Sequence, residues 1–116
     1  MTLEELAKKV QVMEDIEAIK QLKYRYAKAN DHRNHVQHLE YLNEVFVENG
    51  VWDGKEFGVF KGRKQIIAAI TELAASFSFS HHFFTNPDIT IDGDKAHAHW
   101  CVWAPHTMTC EGGDKG

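Results

Sequence analysis

Adjacent histidines open an aromatic, strand-like segment, SFSHHFFTNPDI, running from Ser78 to Ile89. An imidazole has an ordinary pKa of about 6.5, so it takes up and releases a proton near neutral pH. In an alternating segment one member of such a pair points into the protein and the other points away. The inward one either acts as a base or simply fills space. Six further histidines bring the total to eight. His32, His35 and His38 stand at i, i+3 spacing, which shares a helix face, but no acidic or cysteine partner sits nearby and no metal is assigned there. His97 and His99 alternate along one strand, where they either clasp a metal or lie on a solvated face.

The elements that must position these groups follow from periodicity. Thr2-Leu3-Glu4-Glu5 fits a capping box, with Thr2 as N-cap and a glutamate three residues on. Leu3, Leu6, Val10 and Met13 then recur at helical spacing, predicting a buried stripe. Ile16, Ile19, Leu22, Tyr26 and Ala29 continue it, giving one long helix or two with a bend near residues 12–15. The turn-forming "ANDHRN" ends it. His35 to Val47 reads as a second helix and Arg63 to Ala75 as a third, its apolar face made by Ile66, Ile67, Ile70 and Leu73. Between them lie a short strand, "VWD", and a Gly-punctuated bent hairpin, "KEFGVFKGR".

From Phe77 the period changes to two. Pro87 interrupts this strand and predicts a bulge or an edge. Asp92-Gly93-Asp94 is a hairpin turn, and Ala96 to Ala104 is the returning strand. After Pro105 a strand piece leads into a glycine-rich turn. Helices first and strands afterwards predict a single α+β domain over residues 1–116, with helices packed on one face of a curved, largely antiparallel sheet.

Composition narrows the function. The 116 residues are 43% hydrophobic and 26% charged, as in a globular domain. No apolar run approaches the roughly 18–20 residues that span a bilayer, and the charged N-terminus is unlike a signal peptide, so a cytoplasmic protein with no membrane partner is expected. A net charge of −4 with scattered basic residues argues against nucleic acid. Cys101 and Cys110 lack CxxC spacing and are read as free thiols.

Three segments, "EDIEAIKQLKYRYAKAND" (Glu14–Asp31), "FGVFKGRKQI" (Phe57–Ile66) and "HHFFTNPDITIDGDKAHAHW" (His81–Trp100), together resemble a SnoaL-like domain of the NTF2-like superfamily. The resemblance implies a cone-shaped α+β barrel, and relatives that include scytalone dehydratase, bile-acid 7α-dehydratase, polyketide cyclases, ketosteroid isomerase and limonene epoxide hydrolase. In the dehydratase branch a tyrosine in the first helix is followed five positions later by an aspartate, which Tyr26 and Asp31 match. That branch places a histidine before the "NP" segment, which His82 fits better than His81, and scytalone dehydratase has a second one on the next strand, near His99. The chain departs from the family by about one extra helical turn between Asp31 and Phe46. It also ends where the family continues with two more long strands. Neither the Asp–Arg–Asp set of the epoxide hydrolases nor the paired acids of ketosteroid isomerase can be placed.

The implied activity is a cofactor-independent lyase or isomerase reaction of dehydratase type on a small hydrophobic hydroxy-carbonyl or polycyclic compound. His82 would be the base, Asp31 would orient it and Tyr26 would donate to the developing oxyanion. Trp52, Phe57, Phe60, Phe84, Asn86 and Trp103 are the expected substrate-binding residues.

A two-residue turn at Gly93-Asp94 would pair Ile91 with Ala96, Ile89 with Ala98 and Asp88 with His99. Strict alternation then puts His82, Phe84, Asn86, Asp88, His97, His99, Cys101 and Trp103 on one face. Phe83, Ile89, Ile91, Ala96, Ala98, Trp100 and Val102 take the other. A bulge at Pro87 would break that alternation. Two other readings stand beside the enzyme: a non-catalytic module that binds a small hydrophobic ligand or dimerises, and a fragment whose unpaired sheet edge calls for a partner strand. A homodimer is expected on that ground.

Overall fold

The computed structural model describes residues 1–31, 35–110 and 113–115. Helix α1 (Leu3–Asp31), helix α2 (His35–Val45) and helix α3 (Arg63–Ala75) alternate with and precede seven strands. These are β1 (Val51–Asp53), β2 (Val59–Lys61), β3 (Phe77–Ser80), β4 (Phe83–Asp92), β5 (Lys95–Trp103), β6 (His106–Cys110) and β7 (Gly113–Lys115). The class is α+β, as the periodicity predicts. All described strand pairings are antiparallel and fall into three sets, β1-β2, β3-β6-β7 and β4-β5.

Local chemistry explains the element ends. The Glu5 amide donates to the Thr2 hydroxyl at 3.0 Å, and the Thr2 amide reaches the Glu5 carboxylate at 3.4 Å. Both limbs of the capping box are thus made. α1 is one unbroken helix, so the choice between one and two is settled in favour of one. α2 stops at Val45, two residues before the predicted end, while α3 has the predicted bounds.

The core is small. Ala29, Leu42, Ile66 and Ile70 are buried, with Tyr26, Tyr41, Phe46, Trp52, Phe60 and Ile67 packed around them. It gathers the last turns of α1 with α2 and α3. His38 stitches the same three helices together: its Nδ1–H donates to the Ala29 carbonyl at 2.6 Å and its Nε2 accepts from the Thr71 hydroxyl at 2.9 Å. A buried imidazole with both nitrogens engaged carries no desolvation penalty for an unmade bond. The first half of α1 overturns an expectation. Leu3 is 83% and Met13 69% exposed, so the predicted stripe there is not buried. A helix of 29 residues is about 43 Å long, more than the short α2 and the sheet can cover.

The hairpin of β4 and β5 has the predicted turn and pairings: Ile91 opposite Ala96, Ile89 opposite Ala98 and Asp88 opposite His99. Between Thr85 and Asp88 the register shifts, so Asn86 and Pro87 together oppose Trp100. That is a β-bulge. Pro87 has no N–H for the ladder, and Asn86 takes the left-handed conformation at φ 52°, which asparagine tolerates.

The bulge corrects the face assignment. His82 and Phe84 lie on the helix side with Trp100, Ile89 and Ala98. Phe83 moves to the outer side, where its ring stacks on Trp103 at 5.3 Å.

Candidate functional site

The last turn of α1 and the entry to β4 meet at one carboxylate. Asp31 is the final residue of α1, and its side chain is only 16% exposed. The segment before β4 is anchored beside it, because the Ser80 hydroxyl donates to the Asn30 carbonyl at 3.1 Å and the His81 amide donates to the Pro105 carbonyl at 3.0 Å. This brings His82 Nδ1 to 2.7 Å from Asp31 Oδ1. The other carboxylate oxygen lies 3.4 Å from Nδ1 of the half-exposed His81. One carboxylate therefore spans the adjacent pair, with the more buried imidazole held closer.

The chemistry of this contact is specific. A carboxylate at hydrogen-bond distance from Nδ1 accepts the Nδ1–H, which leaves the Nε2 lone pair as the basic site of the neutral ring. It also stabilises the imidazolium once Nε2 has taken a proton. The His82 side chain is 23% exposed, so a small molecule can reach it.

Tyr26 stands five residues before Asp31 on α1, on the stripe that meets the sheet. Its ring packs edge-on against Phe46 at 5.9 Å and tilted against Phe84 at 6.0 Å. Phe84 in turn stacks on His82 at 6.2 Å with 18° between the planes. His82, Phe84 and Tyr26 thus form a row, with Phe84 in the middle. Burial pushes the Tyr26 phenol above its usual pKa, and side-chain hydrogen bonds with Asn30 and Trp52 oppose that in smaller measure. The phenol keeps its proton and remains a donor.

Next to Tyr26 a cleft of about 290 Å³ opens between α1 and β5. Its walls are Ile19, Leu22, Tyr26, Phe46, Trp52 and Trp100, with Val45, Ala98 and Lys23 completing them. Lys23 is the residue that sequence reasoning passed over. Its spacing gave the signal: four after Ile19 and three before Tyr26, it falls on the buried stripe. A second hollow, about 680 Å³, lies on the α3 side and shares only Trp52 with the first.

The residues expected to bind substrate are accordingly dispersed. Trp52, Phe57 and Phe60 line the α3-side hollow, where Trp52 and Phe60 stack at 5.6 Å. Phe84 joins the His82 row. Asn86 is exposed at the bulge, and Trp103, 68% exposed, stands on the outer side of the hairpin. His99 is exposed, adjacent to the inward Trp100 and therefore on the opposite side from His82.

His32 and the side chain of His35 lie outside the described residues. Among the described ones, no three or more His, Cys, Asp or Glu side chains are grouped so as to hold a metal ion. No described helix is long and apolar enough to cross a membrane.

Comparison with known proteins agrees with this architecture. The SnoaL-like domain family matches residues 11–115. A solved structure from Novosphingobium aromaticivorans, provisionally named an aromatic ring hydroxylase, is 26% identical with a TM-score of 0.71, over 89% of this chain and 84% of that one. A second protein of that organism, provisionally named a scytalone dehydratase, is 19% identical with a TM-score of 0.66, over 88% of this chain and 66% of that one. A hexachlorocyclohexane dehydrochlorinase, LinA type 2, is 12% identical with a TM-score of 0.63, over 92% of this chain and 83% of that one. The last two likenesses speak to the fold. No curated protein matches the sequence at significant similarity.

Proposed function

Since the chain belongs to the SnoaL-like domain family, we propose that it is a cofactor-independent lyase or isomerase of dehydratase type, acting on a small hydrophobic hydroxy-carbonyl compound. The observation that carries this reading is the 2.7 Å contact between Asp31 and His82. It supplies an already oriented general base on a side chain that is partly shielded and partly open to solvent.

The steps balance on these residues. His82 Nε2 takes the proton next to the substrate carbonyl, and the C–H electron pair moves to form an enolate. The Tyr26 phenol, held protonated by burial, donates to the enolate oxygen. Collapse of the enolate breaks the β C–O bond, and the imidazolium returns its proton to the departing hydroxyl as water. Asp31 stabilises the imidazolium between the two transfers. Two proteins of this fold carry names for eliminations, a dehydratase and a dehydrochlorinase.

The test is proton exchange in deuterated water. A panel of small apolar β-hydroxy ketones should lose α-hydrogen or water with the wild-type protein. The His82→Ala variant, shown by circular dichroism to be folded, should do neither. Retained exchange in that variant would sink the assignment.

A second reading has its own observation: neither Asp31 nor His82 lines the 290 Å³ cleft. On that reading the chain binds a small apolar ligand without turning it over. Asp31→Asn would then leave ligand affinity nearly unchanged, and no member of the panel would exchange. A homodimer remains part of the proposal, to be measured by sedimentation.

A further inference from the structure

We propose that the cleft between α1 and β5 binds a small apolar carboxylic acid, with the Lys23 ammonium as the counter-ion of its carboxylate. This names the ligand class for the cleft of the reading above. It rests on the cleft and Lys23, not on the Asp31–His82 pair.

Three observations carry it. Lys23 lines the cleft, and every other wall residue is apolar or aromatic, Tyr26 with its phenol included. The ammonium sits over two ring faces, 4.4 Å from the Phe84 centroid and 5.0 Å from that of Tyr26. This attraction pins the charge in place but is weak beside a true counter-ion. The ion pairs among the described residues are Arg25–Glu44, Lys55–Asp53 and the contacts of Asp31 with His81 and His82, so none uses Lys23. A half-buried cation among apolar walls, with no carboxylate partner among the described residues, is poorly solvated and gains most from an incoming anion. Burial holds the Lys23 amine below the usual lysine pKa, which is the mark of that unrelieved desolvation.

The ligand's form follows from the walls. A single ammonium matches one negative charge, and among the described residues no second cationic side chain lines the cleft for a phosphate. A volume of about 290 Å³ lies at the small end of ligand cavities. Trp52 and Trp100 offer faces for a flat ring.

The experiment is calorimetric titration with 2-naphthoate and its neutral counterpart 2-naphthamide. Wild-type protein should bind the acid about tenfold more tightly than the amide, or about 1.4 kcal/mol. Lys23→Met should erase that preference, and Lys23→Arg should restore most of it. Lys23→Gln serves in its place if the methionine variant does not fold. His82→Ala should keep the preference whatever it does to turnover, which separates this proposal from the catalytic one. Equal affinity for acid and amide in the wild type, binding of neither, or a preference that survives Lys23→Met or Lys23→Gln would overturn it.

Discussion

The two sides of the β4–β5 hairpin carry similar residues and do different work. Toward the helices, His82 reaches Asp31, Phe84 meets Tyr26, and Trp100 packs edge-on against Tyr24 at 6.2 Å. On the outer side, Phe83 and Trp103 stack on each other, and His97, His99 and Cys101 are exposed. Each side has a histidine and a stacked aromatic pair. What separates them is how close a carboxylate comes: Asp31 lies 2.7 Å from His82 Nδ1, while Asp88, opposite His99 on the outer side, makes no ion pair with it among the described residues. A histidine becomes a candidate base by what its other nitrogen touches, and of the two sides the inward one holds a carboxylate at hydrogen-bond distance.

The largest expected effect tests this contrast. His82→Ala should lower kcat by about 10²–10⁴-fold, whereas His99→Ala should leave it within about twofold. A loss with His99→Ala equal to that with His82→Ala would erase the distinction between the sides. Next come the two tryptophans. Trp100→Ala removes a half-buried ring and should cost about 2–4 kcal/mol in urea denaturation, while Trp103→Ala, losing a ring 68% exposed, should cost less than about 1 kcal/mol. Comparable losses would mean that a partner covers the outer side.

Deleting Asn86 sharpens the comparison further. Without the extra residue Thr85, Pro87 and Asp88 alternate regularly opposite Cys101, Trp100 and His99, so Phe84 and Trp100 keep the same side with no bulge between them. Amide exchange at residues 83–85 should keep its protection and His82 its contact with Asp31, and loss of either would mean that the bulge itself aims this segment at the helices. The smallest effect is at the turn, where Gly93 has φ of 60° with open space around its Cα. Gly93→Ala should destabilise by about 1 kcal/mol through backbone strain alone, leaving both sides intact.

Much of this was legible in the residues. The α3 bounds, the capping box and the hairpin register follow from local chemistry, which acts over three or four residues. The approach of Asp31 to His82 was expected only through family spacing, and the side chains lie 51 positions apart in the chain. Pro87 announced a bulge, yet which strand segment would be flipped depends on what the helices cover, and periodicity has no access to that. The same limit explains the misread stripe at Leu3–Met13: spacing shows which residues share a face, not whether anything packs on it. Lys23 went unnoticed because a lysine on a helix is ordinarily solvated. Only the placement of Phe84 and Tyr26 makes it part of a cleft.

The most direct test of the Asp31–His82 pairing needs no substrate. In protein labelled with ¹⁵N-histidine, long-range proton–nitrogen correlation reads which ring nitrogen of His82 carries the proton. Near pH 8, where an ordinary imidazole is neutral, His82 should be protonated at Nδ1 and bare at Nε2, and Asp31→Asn should abolish that bias. His99, on the outer side, should show no such dependence on Asp31. A His82 protonated at Nε2, or one indifferent to Asp31→Asn, would contradict the account.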